Sequence, residues 1–293
     1  MIRIAVTMIT LCIFYIDVSF AQNITYRGLG KYRDAYHTEL LQLILDEVKP
    51  NNFTVKSYDK RVPHLRGFDL LSKGESLDIM IGYATHERVK KYRAIELPII
   101  KGLNGWRASL VHKDNIEIFK DVSTLEQMRQ FIPGSFHTWT DGKILLANKI
   151  QMLSGTDFVG LFRMLDTKRF DYFPLSILEL AREAEYYKAQ YNLDIAIEPN
   201  LLITYPVCFY FYVAKENEAL AKVLTDGFEK IIANGKFDAL FERHHRKILD
   251  QLLTGDRKVI RLINPLLPSS TPLERDELWL HYQYDEKRKT TLY

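Results

Sequence analysis

The chain has 293 residues, 47% hydrophobic and 26% charged. That is ordinary globular usage and excludes a disordered chain, a collagen-like repeat and a disulfide-dense miniprotein. The length suits two domains or one large one at about 100–200 residues each. The 40 basic and 37 acidic residues leave a formal net charge of +3. This is too balanced for a dedicated nucleic-acid binder, whose mark is a clustered basic excess.

The chain opens like an export signal. Arg3 precedes an apolar run from Ile4 to Tyr15, too short for a helix to span a bilayer core of about 30 Å. Ser19-Phe20-Ala21 then puts small residues three and one before a cut at Gln22, the secretory pattern. Residues 1–21 are therefore expected to be a cleaved signal peptide, and the mature protein to be periplasmic. Cys12 lies inside the apolar run behind Leu11, without the small residue that a lipidation site needs. Cleavage leaves Cys208 alone in the apolar run Val207 to Val213. A lone thiol makes no internal disulfide or cysteine zinc cluster, and a buried, inert one is expected there.

Leu41, Ile44, Leu45 and Val48 carry the helical period within a helix expected over Thr38 to Lys49. Phe53 to Tyr58 alternates as a half-buried strand. A helix around Phe68 to Ser72 stops at Lys73-Gly74. Asp78 to Gly82 is a short apolar run of the kind found in buried parallel strands. Arg107 to His112 reads as a strand, and Ser123 with Glu126 as a capping box opening a helix. Phe158, Leu161, Phe162 and Leu165 form the next helical stripe. Arg169 to Phe173 reads as a strand, and Ser176 with Glu179 as a second capping box for a helix reaching Gln190. Strands at Asp194 to Ile197 and Val207 to Val213 follow. The stripe Leu220, Leu224, Phe228, Ile231 ends at Asn234-Gly235, and a last helix runs from Phe237 to Ile248. Alternating strands and helices imply α/β layering. Beyond Leu249, Asn264-Pro265 and Pro268 to Pro272 favour extended or turn backbone.

The order of these elements from Ile24 to His245 resembles the family 3 extracellular solute-binding proteins, the amino-acid-binding type of periplasmic binding protein. Four stretches carry the resemblance: Tyr36 to Val48, Leu77 to Arg88 with its T-x-x-R ending, Lys168 to Phe173, and Asn234 to Phe241. The opening Tyr26-Arg27-Gly28-Leu29-Gly30 is shorter than the family's usual loop, and the C-terminal tail has no counterpart in its core. The resemblance implies a type II periplasmic-binding-protein fold, with two α/β lobes joined by a two-strand hinge. Residues 22–108 plus 214–247 would form lobe 1, 109–213 lobe 2, and 248–293 a C-terminal extension. The chain would cross between lobes near Asn104–Arg107 and near Tyr205–Ala214.

By the same resemblance Arg88 would pair with a ligand carboxylate, for which a guanidinium fork is suited, and Thr85 would add a hydroxyl. As sequence alone, Arg88 is equally a surface arginine beside Lys90 and Lys91. Ser176 stands where the family has an aspartate for the ligand's ammonium, and has its own reading as a helix N-cap. Asp141 stands in a turn, His137 to Gly142, where the family's hydroxyls and amides hold the carboxylate. It reads either as an N-cap or as a partner for a cationic group. Tyr83 and Trp139 could present aromatic faces to a ligand, or pack in the core.

The leading expectation is a periplasmic solute-binding protein for a small polar, carboxylate-bearing ligand. It would be a monomer serving a membrane transporter or sensor, with no cofactor, metal or nucleic acid. The alternatives are a dehydratase-like enzyme on the same scaffold, recruiting Asp141 or Glu183, and a sensor-partner protein with a vestigial cleft. No Gly-rich phosphate loop, H-E-x-x-H or G-x-S-x-G is present.

Overall fold

Strands and helices alternate in a computed structural model of the chain, which describes residues 22–28, 31–50, 52–58, 62–252, 257–280, 282–283 and 291–292. The expected signal peptide lies outside the described residues. Strand β1 (Gln22–Tyr26) leads through helix α1 (Lys31–Val48) to β2 (Phe53–Ser57), which pairs with β1 in parallel. A parallel pair needs such a crossover. Leu41, Ile44 and Leu45 of α1 are fully buried. Helix α2 (His64–Ser72), strand β3 (Met80–Tyr83), helix α3 (His86–Lys91) and strand β4 (Arg93–Ile95) complete the first part of lobe 1.

The chain then crosses to lobe 2, where β5 (Trp106–His112) is the spine. Helix α4 (Leu125–Met128), strand β6 (Gly134–Phe136), helix α5 (Thr140–Ala147), strand β7 (Leu153–Gly155) and helix α6 (Phe158–Asp166) follow. Next come β8 (Phe173–Ser176), α7 (Leu180–Tyr191), β9 (Ile195–Ile197) and β10 (Leu201–Thr204). Strands β8, β9 and β10 all pair antiparallel with β5. Three local expectations shift here. The first capping box uses Thr124 and Gln127, because Ser-Thr followed by Glu-Gln offers two registers. The strand expected at Arg169 to Phe173 joins β5 only at Phe173, after Tyr172 makes a single parallel bridge with Pro133, because the chain is still turning after α6, with Lys168 left-handed at φ 54°. The second box does not form: α7 starts at Leu180 and Glu179 caps it without a side-chain bond.

Strand β11 (Phe209–Val213) returns to lobe 1 and pairs antiparallel with β3 and β4. Residues 209–213 therefore belong to the lobe 1 sheet, although the expected lobe 2 ran to 213. Helix α8 (Glu218–Ala233) buries Leu220, Leu224, Phe228 and Ile231, and α9 (Lys236–Leu252) follows. The two hinge segments nearly touch. Tyr205 N–H donates to the Gly105 carbonyl at 3.2 Å. A Cβ on Gly105 would lie 2.0 Å from the Tyr205 carbonyl oxygen, so no other residue fits at this approach. After α9 a short strand, β12 (Lys258–Arg261), adds to the lobe 2 sheet beside β10. Among the described residues no helix is long and apolar enough to cross a membrane.

Candidate functional site

Two cavities lie between the lobes, and an ion pair sits between them. The first, about 530 Å³, is walled by Phe68 of α2, Thr85, Arg88 and Lys91 around α3, and Thr140 and Lys143 of α5. Asp69, Glu87 and Leu266 also line it. Thr85 ends the extended segment after β3 and caps α3, its hydroxyl accepting from Arg88 N–H at 3.2 Å. That cap sets the first turn of α3 and so aims Arg88. The guanidinium donates from Nη1 to the Tyr83 carbonyl at 2.8 Å and lies 5.2 Å from the Phe68 ring centre. Burial pulls its pKa below the ordinary guanidinium value. Among the described residues no carboxylate pairs with it. A partly desolvated cation with unused donors on a cavity wall has the chemistry to receive an anion.

The second cavity, about 260 Å³, is lined by Tyr36, Tyr83, Arg107, Ser176, Phe209 and His245, among others. Ser176 ends β8 and its hydroxyl accepts only weakly, from Leu178 N–H at 3.4 Å. With α7 starting four residues later, Ser176 is no N-cap, and its hydroxyl faces this cavity. Tyr36 donates its hydroxyl to the Ile99 carbonyl at 2.6 Å. His245 donates from Nδ1 to the Phe241 carbonyl at 3.0 Å, and burial pulls its pKa down to about 4.

Asp141 lies between the two cavities. It is in the first turn of α5, where a carboxylate is favoured by the helix dipole, but Trp139 takes the cap position. Its carboxylate is held by Arg107 Nη2 at 2.5 Å and accepts the Tyr205 hydroxyl. Arg107 Nε also donates to the Tyr205 oxygen at 2.8 Å. Both side chains are strongly buried, 7% exposed for Arg107 and 16% for Asp141. The neighbouring Asp141 carboxylate raises the Arg107 pKa against its burial, and burial raises that of Tyr205 well above the usual phenol value. Asp141 is thus neither an N-cap nor open to a ligand cation.

Trp139 lines neither cavity. Its ring stacks on Phe173, with centres 6.0 Å apart and planes 7° apart, and packs against Phe136 and Phe158 in the lobe 2 core. The six sequence candidates are therefore divided. Arg88 and Thr85 line the larger cavity, and Tyr83 and Ser176 the smaller. Asp141 is consumed between them, and Trp139 packs half-buried against the core. Arg107 and Tyr205 escaped the sequence reading. The one available signal was a charge, Arg107, as the second residue of a mostly apolar strand at Trp106 to Val111. Cys208 is buried, with its thiol pushed up to about 12 by desolvation, as an inert core thiol should be. Among the described residues no group of three or more His, Cys, Asp or Glu could hold a metal ion.

No family model matches the sequence, and no curated protein matches it at a significant level. Solved structures do match its fold. The chain is similar to the YckB protein of Bacillus subtilis, at 15% identity and a TM-score of 0.51, covering 78% of this chain and 91% of that one. It is also similar to an ancestral arginine-binding protein solved with arginine, at 16% identity and a TM-score of 0.50, covering 76% and 97%. The fold is that of the periplasmic binding proteins, two α/β lobes about a hinge. Between a fifth and a quarter of this chain lies outside each of these matches.

Proposed function

We propose that the chain is an exported solute-binding protein that captures a small, carboxylate-bearing ligand in the larger inter-lobe cavity, for a membrane transporter or sensor. One observation carries this reading: Arg88 is partly buried, unpaired with any described carboxylate, and faces a cavity that both lobes line. Lys91 and Lys143 add positive charge to the same walls. Arg88 holds the carboxylate through its remaining fork donors, and Lys143 approaches it from α5. Export rests on the Ser19-Phe20-Ala21 pattern.

Asp141 gives this ligand no countercharge, since Arg107 and Tyr205 hold it, and Ser176 brings none. An ordinary α-amino acid therefore loses the ammonium partner that the resemblance implies at Ser176. The carboxylates on this cavity's walls are Asp69, paired with Arg66 and Lys73, and the exposed Glu87, and a monocarboxylate without an α-amine is the better ligand. The enzymatic alternative loses support for the same reason. Asp141 is committed to an ion pair, and Glu183 is paired with Arg182 at 2.7 Å. Titration calorimetry of the mature protein against a panel of small carboxylates and amino acids tests the reading. Binding of a carboxylate that Arg88→Ala abolishes supports it. Tight binding of a common amino acid unaffected by Arg88→Ala overturns it.

A further inference from the structure

The segment after α9 touches both lobes. Its first foot is on lobe 2. Strand β12 pairs along β10 from Leu201 with Lys258 to Thr204 with Arg261. Leu262 N–H extends the ladder to the Thr204 carbonyl at 2.8 Å. Ile263 and Asn148, at the C-terminus of α5, exchange two hydrogen bonds of 3.0 and 2.8 Å. Asn264 then donates to the Pro206 carbonyl at 2.9 Å, on the hinge itself.

The second foot is on lobe 1. Arg275 grips Glu229 of α8 with both terminal nitrogens, at 2.7 and 2.9 Å. Leu280 N–H donates to the Lys101 carbonyl at 2.9 Å, and the Lys101 ammonium donates to the Glu277 carbonyl. Leu278 is completely buried in the main core. Trp279 lies on Gly102, a left-handed residue at φ 68° where a Cβ would come within 2.7 Å of the indole. Between the feet the segment arches over a cavity of about 330 Å³ lined by Trp106, Tyr205, Pro206, Leu262 and Trp279. Leu266, midway along, is a wall of the Arg88 cavity.

A hinge of two segments leaves the lobes free to rotate about it. A third connection fastened at both ends removes part of that freedom, because opening must stretch it or pull out a foot. We propose that residues 257–280 form a strap across the hinge that limits how far the lobes open and seats Leu266 in the wall of the Arg88 cavity. The lobe 1 foot is the one that yields. It is fixed by side-chain contacts and single backbone bonds, whereas the lobe 2 foot is a strand built into a sheet. The strap does not depend on which ligand the cleft takes.

Spin labels at Lys73→Cys in lobe 1 and Glu185→Cys in lobe 2 measure the opening directly, with Cys12 changed to serine where retained. Cys208, buried and with its raised thiol pKa, stays unlabelled. The full chain should give one narrow inter-lobe distance distribution. Arg275→Ala with Trp279→Ala should shift it to longer distances and broaden it. Superimposable distributions, with the variant's circular dichroism unchanged, overturn the proposal. Should the double variant fold poorly, hydrogen exchange on the unmodified chain decides. The Leu262 amide should exchange as slowly as those of β5 and the Leu280 amide faster than Leu262 but well below the rate of a free amide, and exchange of Leu280 at the free-amide rate overturns the strap.

Discussion

Arg88 and Arg107 stand on either side of Tyr83 and have opposite surroundings. Arg107 is enclosed, its charge matched by Asp141 and a Tyr205 hydroxyl. Arg88 is anchored by one carbonyl and one aromatic face and otherwise looks into a cavity. The first arrangement is complete within the chain, and the second leaves guanidinium donors open to the cavity. Burial alone therefore does not single out the proposed anion-binding arginine; its unspent charge does.

The sharpest way to break this contrast is to delete each side chain in turn. Arg107→Ala leaves Asp141 and Tyr205 buried without their partner. It should cost about 3–5 kcal/mol of stability, the scale for breaking a buried pair by removing one member, as read by chemical denaturation. Arg88→Ala should cost less, about 1.5–3 kcal/mol of stability, the range for a hydrogen bond involving a charged group. It should remove roughly 2–5 kcal/mol of ligand binding, the range for truncating one member of a buried charge pair. Equal stability losses for the two variants would erase the distinction drawn here. Gly105→Ala should follow, at about 1–3 kcal/mol for overpacking, because its Cβ meets the Tyr205 carbonyl. A variant as stable as the parent would show that the hinge segments are looser than described.

The smallest effects come from pH. His64 and His245 are both held near 4, chiefly by burial, with the Arg88 charge adding to the effect on His64. Each is neutral when folded and takes up a proton near its ordinary value of about 6.5 when unfolded. The unfolded state thus binds more protons between those values. Stability should be full above about pH 6.5, fall as the pH drops toward 4, and level off below. Melting temperatures across that range check it, and His245→Gln should flatten the slope. An anion seated on Arg88 offsets the repulsion on His64, so ligand should raise the His64 pKa in an NMR titration while leaving that of His245 in place.

Much of the fold was legible in local patterns. The stripe Leu220, Leu224, Phe228, Ile231 and the Asn234-Gly235 stop specify α8 from one stretch of chain, and all four stripe residues are buried. Arg88 was legible only through the T-x-x-R resemblance, since a basic run gives no burial signal. Ser176 was misread because a capping box is a local rule, and it was overruled by β8 pairing with β5 up to Ser176 itself. The Arg107 cluster was out of reach. Its members lie 64 and 98 residues apart along the chain, and nothing near any of them announces the others. Strand β12 escaped for the same reason, four residues whose pairing partner is set by tertiary structure.

The most direct test of the central claim is native mass spectrometry of the protein as it purifies, in parallel for the parent, Arg88→Ala and Arg107→Lys. The account predicts a small carboxylic acid bound to the parent, absent from Arg88→Ala and retained by Arg107→Lys. The same adduct on Arg88→Ala as on the parent, or its loss only from Arg107→Lys, would contradict it.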